Sequence, residues 1–171
     1  YYPRDFSTKY FQGWPYIVST RFNKKMMRNI ESLGFPVILE GLHTCFLVDF
    51  LKEKKIPHVI RMHNIEWKYY QFLAEVEASF VKKKYFLEEA RRLRTFEKCI
   101  QTSTILSISA KDKIYLEATY PKATVVEIPP FHQFDKIEIQ EGQGEYALFH
   151  GNLSVNENEQ AAIWLIEKVF M

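Results

Sequence analysis

The stretch PHVIRMHNIEWKYY, Pro57–Tyr70, decides how the rest of the sequence is interpreted. An apolar run ends at Met62, and the imidazole of His63 and the amide of Asn64 follow it directly. A segment rich in Trp and Tyr comes next, and the proline in front would end any preceding helix because it lacks an N–H. The stretch is typical of a buried strand that ends where a helix begins, with polar side chains at the junction.

The same alternation extends along the chain in both directions. Strands are predicted at PVILEGLH (36–43), HVIRM (58–62), TILSIS (104–109), TVVEI (124–128) and YALFH (146–150). Helical patterns separate these strands. Short strands alternating with helices predict an α/β fold, a doubly wound, Rossmann-like parallel sheet.

The helices are predicted from apolar residues at steps of three and four and from capping residues. After Pro57 come two helices, one with an apolar face of Tyr69, Phe72, Leu73 and Val76 and one with Phe86, Ala90, Leu93, Phe96 and Ile100. Ser109 with Asp112 predicts the start of a later helix. Ser154 with Glu157 forms a capping box for the final one.

Composition narrows the function classes. The chain has 171 residues, 47% of them hydrophobic, and a net charge of +2, which indicates a packed domain and argues against nucleic acid as a partner. Cys45 and Cys99 form neither a metal-binding spacing nor a disulfide framework, and no apolar run is long enough to span a membrane. We therefore expect a reduced, cytoplasmic setting.

Polar side chains follow several predicted strands. Ligands of parallel α/β sheets bind at the carboxyl ends of the strands, which is where Glu40, His43, His63 and Gly151 lie. A neutral imidazole at His63 offers one donor and one acceptor to sugar hydroxyls, or it caps the sheet edge. Asn64 suits a helix N-cap, a ligand contact, or both. Glu40 and His43 would orient an acceptor hydroxyl or serve the turn alone.

Four segments together resemble a known family: VIRMHNIEWKYY (59–70), FEKCIQTSTILSISAKDKIYL (96–116), VVEIPPF (125–131) and ALFHGNLSVNENEQAAIWLIEKV (147–169). Their order is similar to that of family-4 glycosyltransferases with the two-domain GT-B fold. The resemblance implies a partial acceptor-side Rossmann-like domain at 1–131, a linker at 132–145 and the first β-loop-α unit of the donor-side domain at 146–171. Both ends are then interpreted as cutting through larger domains.

The resemblance also implies an activity: transfer of a sugar from a nucleotide-diphosphate sugar to a hydroxyl acceptor with retention of configuration, in glycan or polysaccharide biosynthesis. No metal or other cofactor is expected. His63 resembles the cleft histidine that meets the donor sugar, with Asn64 and Glu66 flanking it. Gly151 and Asn152 resemble the glycine loop that approaches the donor diphosphate.

The sequence also departs from the family pattern at positions that bear on phosphate binding and on activity. Asn152 stands where many relatives have an arginine, so phosphate contact would rest on backbone N–H groups at a helix start. The family's paired glutamates, with seven residues between them, are not in this chain, which is therefore expected to be inactive alone. The implied partners are a nucleotide-sugar donor and a glycan or lipid-linked acceptor. Peripheral contact with the inner face of the cell membrane and dimerisation through the cut surfaces are further expectations.

One charged segment and two other function classes stay open. The cluster Lys82–Lys84, Arg91, Arg92 and Arg94 is either a site for an anionic partner or a solvated face on which Glu88 and Glu89 pair with the arginines. The alternative function is a non-catalytic doubly wound module that binds a ligand or a protein. A third is a small sugar-phosphate-binding domain complete in itself.

Overall fold

The computed structural model describes residues 2, 8–131, 135–136, 142, 144–154 and 156–170. The chain forms two compact units, Tyr1–Phe131 and His132–Met171. Most of the predicted linker at 132–145 lies outside the described residues. Within the described part, no helix is both long and apolar enough to cross a membrane.

The first unit opens with short helical segments before any strand. A 3₁₀ segment, Thr8–Gln12, is followed by α1 (Tyr16–Ser19) and α2 (Lys24–Leu33). Asn23 caps α2, because its side-chain oxygen accepts hydrogen bonds from two backbone N–H groups of the first turn. Gly34 ends α2 in the left-handed conformation that favours glycine.

Four of the five predicted strands form one parallel sheet. They are β1 (Val37–Glu40), β2 (His58–Met62), β3 (Thr104–Ser107) and β4 (Thr124–Glu127), and their order in the sheet is their order in the chain. The prediction of a parallel α/β, Rossmann-like sheet is confirmed.

Helices make each connection between neighbouring strands. A 3₁₀ segment, Leu42–Leu47, and α3 (Val48–Glu53) join β1 to β2. The hairpin of α4 (Glu66–Val76) and α5 (Phe80–Cys99) joins β2 to β3. Helix α6 (Ala110–Thr119) joins β3 to β4, and the predicted cap is confirmed because the Ser109 hydroxyl oxygen accepts from the Asp112 N–H at 3.1 Å.

The helices cover one face of the sheet. Leu39, Ile60, Ile105 and Val125 form a buried row across all four strands, each paired in register with the next. Sequential strands joined by right-handed crossovers place their helices on the same side. Leucines of three helices complete the core on this face: Leu51, Leu93 and Leu116.

The opposite face is only partly covered. Ile38 is 61% exposed and Val126 is 41% exposed, while Val59 and Leu106 between them are half-buried. A doubly wound sheet carries helices on both faces, whereas the described residues supply one helical layer.

The apolar face predicted for α4 is wrong. Phe72 is 50% and Val76 60% exposed, and the buried residue of α4 is Ala74, with Trp67 and Tyr70 packed on the core. Helix α4 as a whole packs against α5. Both sets recur at helical spacing, so periodicity alone does not choose between them. A small residue such as Ala74 lets two helices approach closely, and this contact decides which face is buried.

Of the two glutamates of α5 predicted to pair with arginines, Glu88 does so and Glu89 does not. Glu88 does accept hydrogen bonds from Arg91 and Arg92 at 2.7–2.8 Å. Glu89 is fully buried instead, and one of its oxygens accepts from the Tyr16 N–H at 2.7 Å. Successive residues of a helix point in different directions, so the two carboxylates face solvent and core.

The predicted fifth strand, 146–150, is not formed. Tyr146 and Leu148 are more than four-fifths exposed and the segment is irregular up to Asn152. None of the described residues of the second unit forms a strand, and a strand needs a neighbour for its backbone hydrogen bonds. Helix α7 (Asn156–Val169) follows.

Candidate functional site

Two neighbouring strands bring three charged or titratable side chains to one edge of the sheet. Glu40 is the last residue of β1 and pairs in register with Arg61 of β2, and His63 follows β2 directly. Because the strands are parallel, their carboxyl ends meet at the same edge. We call Glu40, Arg61 and His63 the edge cluster.

The edge cluster is joined through one carboxylate oxygen. Oε2 of Glu40 lies 2.5 Å from Nε2 of His63 and 3.5 Å from Nη1 of Arg61. A carboxylate only accepts hydrogen bonds, so the bonded Nε2 carries a proton and a neutral ring presents Nδ1 as an acceptor. Glu40 and His63 are both nearly half exposed, so a ligand from solvent can reach them. The arrangement orients an imidazole for hydrogen bonding or proton transfer.

Gly41 and His43 adjoin the edge cluster. Gly41 has φ +79° and donates its N–H to the Arg61 carbonyl at 2.8 Å, which continues the pairing of β1 with β2. A Cβ at this position would lie 2.9 Å from Cε1 of the His43 ring. Only glycine fits both the backbone conformation and the close ring. The ring of predicted site residue His43 therefore lies against the backbone at the end of β1.

The start of α4 differs from the prediction in one respect. Ile65, not Asn64, is the N-cap, and it makes no side-chain hydrogen bond; Asn64 is exposed beside His63. The predicted capping by Asn64 is wrong because the helix begins at Glu66. Asn64 is left available to a ligand.

Glu66 lies in the first turn of α4, close to the edge cluster. Burial raises the pKa of the Glu66 carboxyl, and the charges of Arg21 and His63 oppose that rise. No sequence pattern points to Arg21, which precedes the sheet and reaches this region only through the fold.

The carboxyl end of β3 is tied into local hydrogen bonds, whereas β4 ends in the exposed carboxylate of Glu127. The buried Ser107 hydroxyl donates to the Ser109 carbonyl at 2.8 Å, and the Ile128 N–H donates to the Ser107 carbonyl at 2.7 Å. Ser109 caps α6. These bonds fix the β3–β4 part of the edge.

Gly151 and Asn152 belong to the second compact unit. The Asn152 side-chain oxygen accepts from the Ser154 N–H at 3.0 Å and from the Ser154 hydroxyl at 2.8 Å. The expected Ser154 capping box is not formed in that way, since Ser154 donates to Asn152 and α7 begins at Asn156. A Cβ on Gly151 would lie 3.1 Å from the Phe149 ring.

Arg61 is the edge-cluster residue that the sequence analysis missed. It lies in the predicted strand HVIRM, at a position whose side chain alternates with those of the buried Ile60 and Met62. Side chains alternate between the two faces of a strand, so the sequence could have shown that Arg61 points away from the buried Ile60 and Met62. Its pairing with Glu40 depends on strand register, which the sequence did not supply.

Among the described residues, no group of three or more His, Cys, Asp or Glu side chains converges as a metal site would require. Comparisons of the chain with protein-family models, with curated proteins and with solved structures find no match.

Proposed function

We propose that the edge cluster binds a sugar, and that the chain is part of a GT-B glycosyltransferase that transfers a sugar from a nucleotide-diphosphate sugar to a hydroxyl acceptor with retention of configuration. The observation that carries the proposal is the contact between Glu40 and His63. It lies where ligands of parallel α/β sheets bind and where the sequence resemblance puts a sugar-contacting histidine.

The chemistry of the edge cluster suits sugar hydroxyls. A hydroxyl both donates and accepts, so it can donate to Nδ1 of His63 and accept from the Arg61 guanidinium. The hydrogen bond with Glu40 fixes the ring, which lowers the cost of ordering the imidazole when the sugar binds. Asn64 is exposed next to the ring and adds an amide that can do both.

In this proposal His63 orients the donor sugar and Glu40 positions His63. Gly151 with Asn152, in the second unit, is proposed separately as a contact for phosphate. His43, Asn64 and Glu66 contact the sugar or the acceptor. Preorganised dipoles stabilise the charge that develops on the departing phosphate, which is usually the largest contribution to the rate.

The alternative, a non-catalytic module that binds a ligand or a protein, draws support from a different observation. The partly covered face of the sheet exposes Ile38 and Val126, and strand residues of this kind are usually covered in parallel sheets. A covering protein would satisfy this face without any chemistry at the edge cluster.

Binding of nucleotide sugars to the purified chain tests the proposal. Imidazole signals of the five histidines are followed by nuclear magnetic resonance while UDP-, GDP- and dTDP-linked sugars are added in turn. We expect at least one donor to shift the His63 signals. His63→Ala should weaken its binding about tenfold, or ~1.4 kcal/mol.

Arg28→Ala is the control, because Arg28 is an exposed residue of α2 and lies outside the edge cluster. Binding to this variant should equal that of the unaltered chain. If no donor shifts His63, or if both alanine variants bind equally well, the sugar-binding function is wrong and the binding module is favoured.

A further inference from the structure

A cavity of about 540 Å³ lies at the amino-terminal ends of the strands, at the opposite end of the sheet from the edge cluster. Its lining includes His58, the first residue of β2, and Ser103 and Ala123, which directly precede β3 and β4. The amino ends of the strands therefore border it. Its volume is within the range of small-molecule sites, about 300–1,000 Å³.

The cavity is strongly cationic. Lys52 of α3, Lys98 of α5 and Lys122 of the α6–β4 turn line it, and no Asp or Glu does. Among the described residues, none of these three lysines forms an ion pair, whereas Lys54 and Lys113 pair with glutamates elsewhere. Three like charges that converge on one cavity without a carboxylate indicate a site for an anion.

The negative carboxyl ends of nearby helices offset only part of this positive charge. Helices α3, α5 and α6 all end toward this edge, and each carboxyl terminus carries a partial charge of about −0.5. Lys52 and Lys98 lie in the last turns of α3 and α5 and offset those dipoles. Lys122 lies in a turn and not in the last turn of a helix, so its charge leaves the cavity lining with a net positive charge.

The remaining lining is ordered and of mixed polarity. Nδ1 of His58 lies 3.0 Å from the Ile56 carbonyl, so it donates there and Nε2 is left for a ligand. The Tyr120 hydroxyl donates to the Glu97 carbonyl at 2.9 Å, which fixes the ring in the cavity wall. Ile100 and Pro121 supply apolar surface.

We propose that this cavity binds the phosphate group of a small phosphorylated molecule. Lysine ammonium groups bind phosphate as compact point charges, and three of them match the two negative charges of a phosphate better than the single charge of a carboxylate. The apolar wall would contact the organic part of the molecule. The site is separate from the edge cluster and does not depend on its function.

The test compares two variants of equal charge. Lys52→Gln/Lys98→Gln/Lys122→Gln removes the cavity lysines, and Lys24→Gln/Lys25→Gln/Lys83→Gln removes three exposed lysines outside it. Inorganic phosphate and adenosine monophosphate are titrated at constant ionic strength. Imidazole signals of His58 and the melting temperature are followed, since a ligand of the folded state raises the latter.

We expect saturable shifts of His58 in the unaltered chain and in the exposed-lysine variant, and binding at least about tenfold weaker in the cavity variant, the effect of losing direct contacts to a charged group. Tighter binding of the monophosphate than of inorganic phosphate would identify an esterified ligand, and equal binding would identify free phosphate. The single variant Lys122→Gln, in a turn, gives a smaller loss in the same direction and guards against misfolding of the triple variant.

Two results would overturn the proposal. The first is an equal response of both triple variants, which would mean general screening by salt. The second is binding of a single-stranded oligonucleotide without any response to the two small phosphates, which would mark an extended nucleic-acid surface instead.

Discussion

Glu88 and Glu89 are adjacent in α5, yet their carboxyl groups respond to the fold in opposite ways. Hydrogen bonds from Arg91 and Arg92 lower the pKa of Glu88 to about 2. Burial raises the pKa of Glu89, although the hydrogen bond from the Tyr16 N–H opposes the rise. The second oxygen of Glu89 is buried and has no hydrogen-bond partner among the described residues. Deprotonation of Glu89 therefore places a poorly compensated charge inside the first unit.

Glu89→Gln should change how stability depends on pH. Because the folded pKa is raised, the contribution of Glu89 is fully present below about pH 4, where an unfolded glutamate titrates, and it is lost as pH rises through the folded pKa. The glutamine keeps an acceptor for Tyr16 and cannot ionise. The free energy of unfolding in urea, measured from about pH 4 to pH 8, should thus shift in favour of the variant as pH rises, by about 1.4 kcal/mol for each unit of pKa difference.

Burial also raises the pKa of Glu66 and Glu97, and both contribute pH dependence of the same sign. The difference between the unaltered chain and the variant isolates Glu89. A difference that stays constant across the pH range would show that Glu89 is not held in a raised-pKa environment.

At the scale of single elements, the starts of α5 and α6 offer a direct comparison. Both have serine at the N-cap, but only Ser109 uses its side chain, accepting from the Asp112 N–H, while Ser79 makes no side-chain cap bond. An N-cap serine contributes typically ~1 kcal/mol through that bond. The two serines are thus a matched pair in the same unit.

Ser109→Ala should lower the free energy of unfolding by ~1 kcal/mol, and Ser79→Ala should change it by only a few tenths. Urea unfolding monitored by circular dichroism measures both variants. Equal losses would indicate that the hydrogen bond at Ser109 does not stabilise α6.

Elements that depend on local signals could be predicted from the sequence, and those that depend on tertiary partners could not. The four strands and the Ser109 cap follow from apolar runs and one side-chain bond. The segment 146–150 has the composition of a strand but lacks a neighbour among the described residues, and α4 carries two apolar stripes of helical spacing. In the site, the strand ends predicted that Glu40 and His63 share an edge. Register decided that Glu40 contacts Arg61 and His63 together.

At the scale of the first unit, the sheet has unequal faces. Ile105 is fully buried beneath the helices, and its neighbour Leu106 points to the partly covered side. Large-to-small substitutions in a packed core cost the transfer free energy of the lost atoms and leave a cavity. The same substitution at adjacent positions of β3 therefore measures how much each face contributes.

Ile105→Ala should lower the free energy of unfolding by ~2–5 kcal/mol, and Leu106→Ala should lower it clearly less. Both values come from urea unfolding of the same chain under one set of conditions. Equal losses at the two positions would mean that Leu106 is packed as tightly as Ile105. The two faces of the sheet would then be covered equally in solution, contrary to the structure.

The sequential order of the strands has a consequence for how the first unit folds. Each strand pairs with the one before it in the chain, so the sheet can grow in one direction as residues leave the ribosome. Two of the closures are short, but Ile60 must reach Ile105 across the whole α4–α5 hairpin. Loop closure loses more chain entropy as the loop lengthens, and a preformed hairpin shortens the effective loop. We expect α4 and α5 to contact each other first. The pairing of β3 with β2, which closes the loop that contains this hairpin, should then set the folding rate.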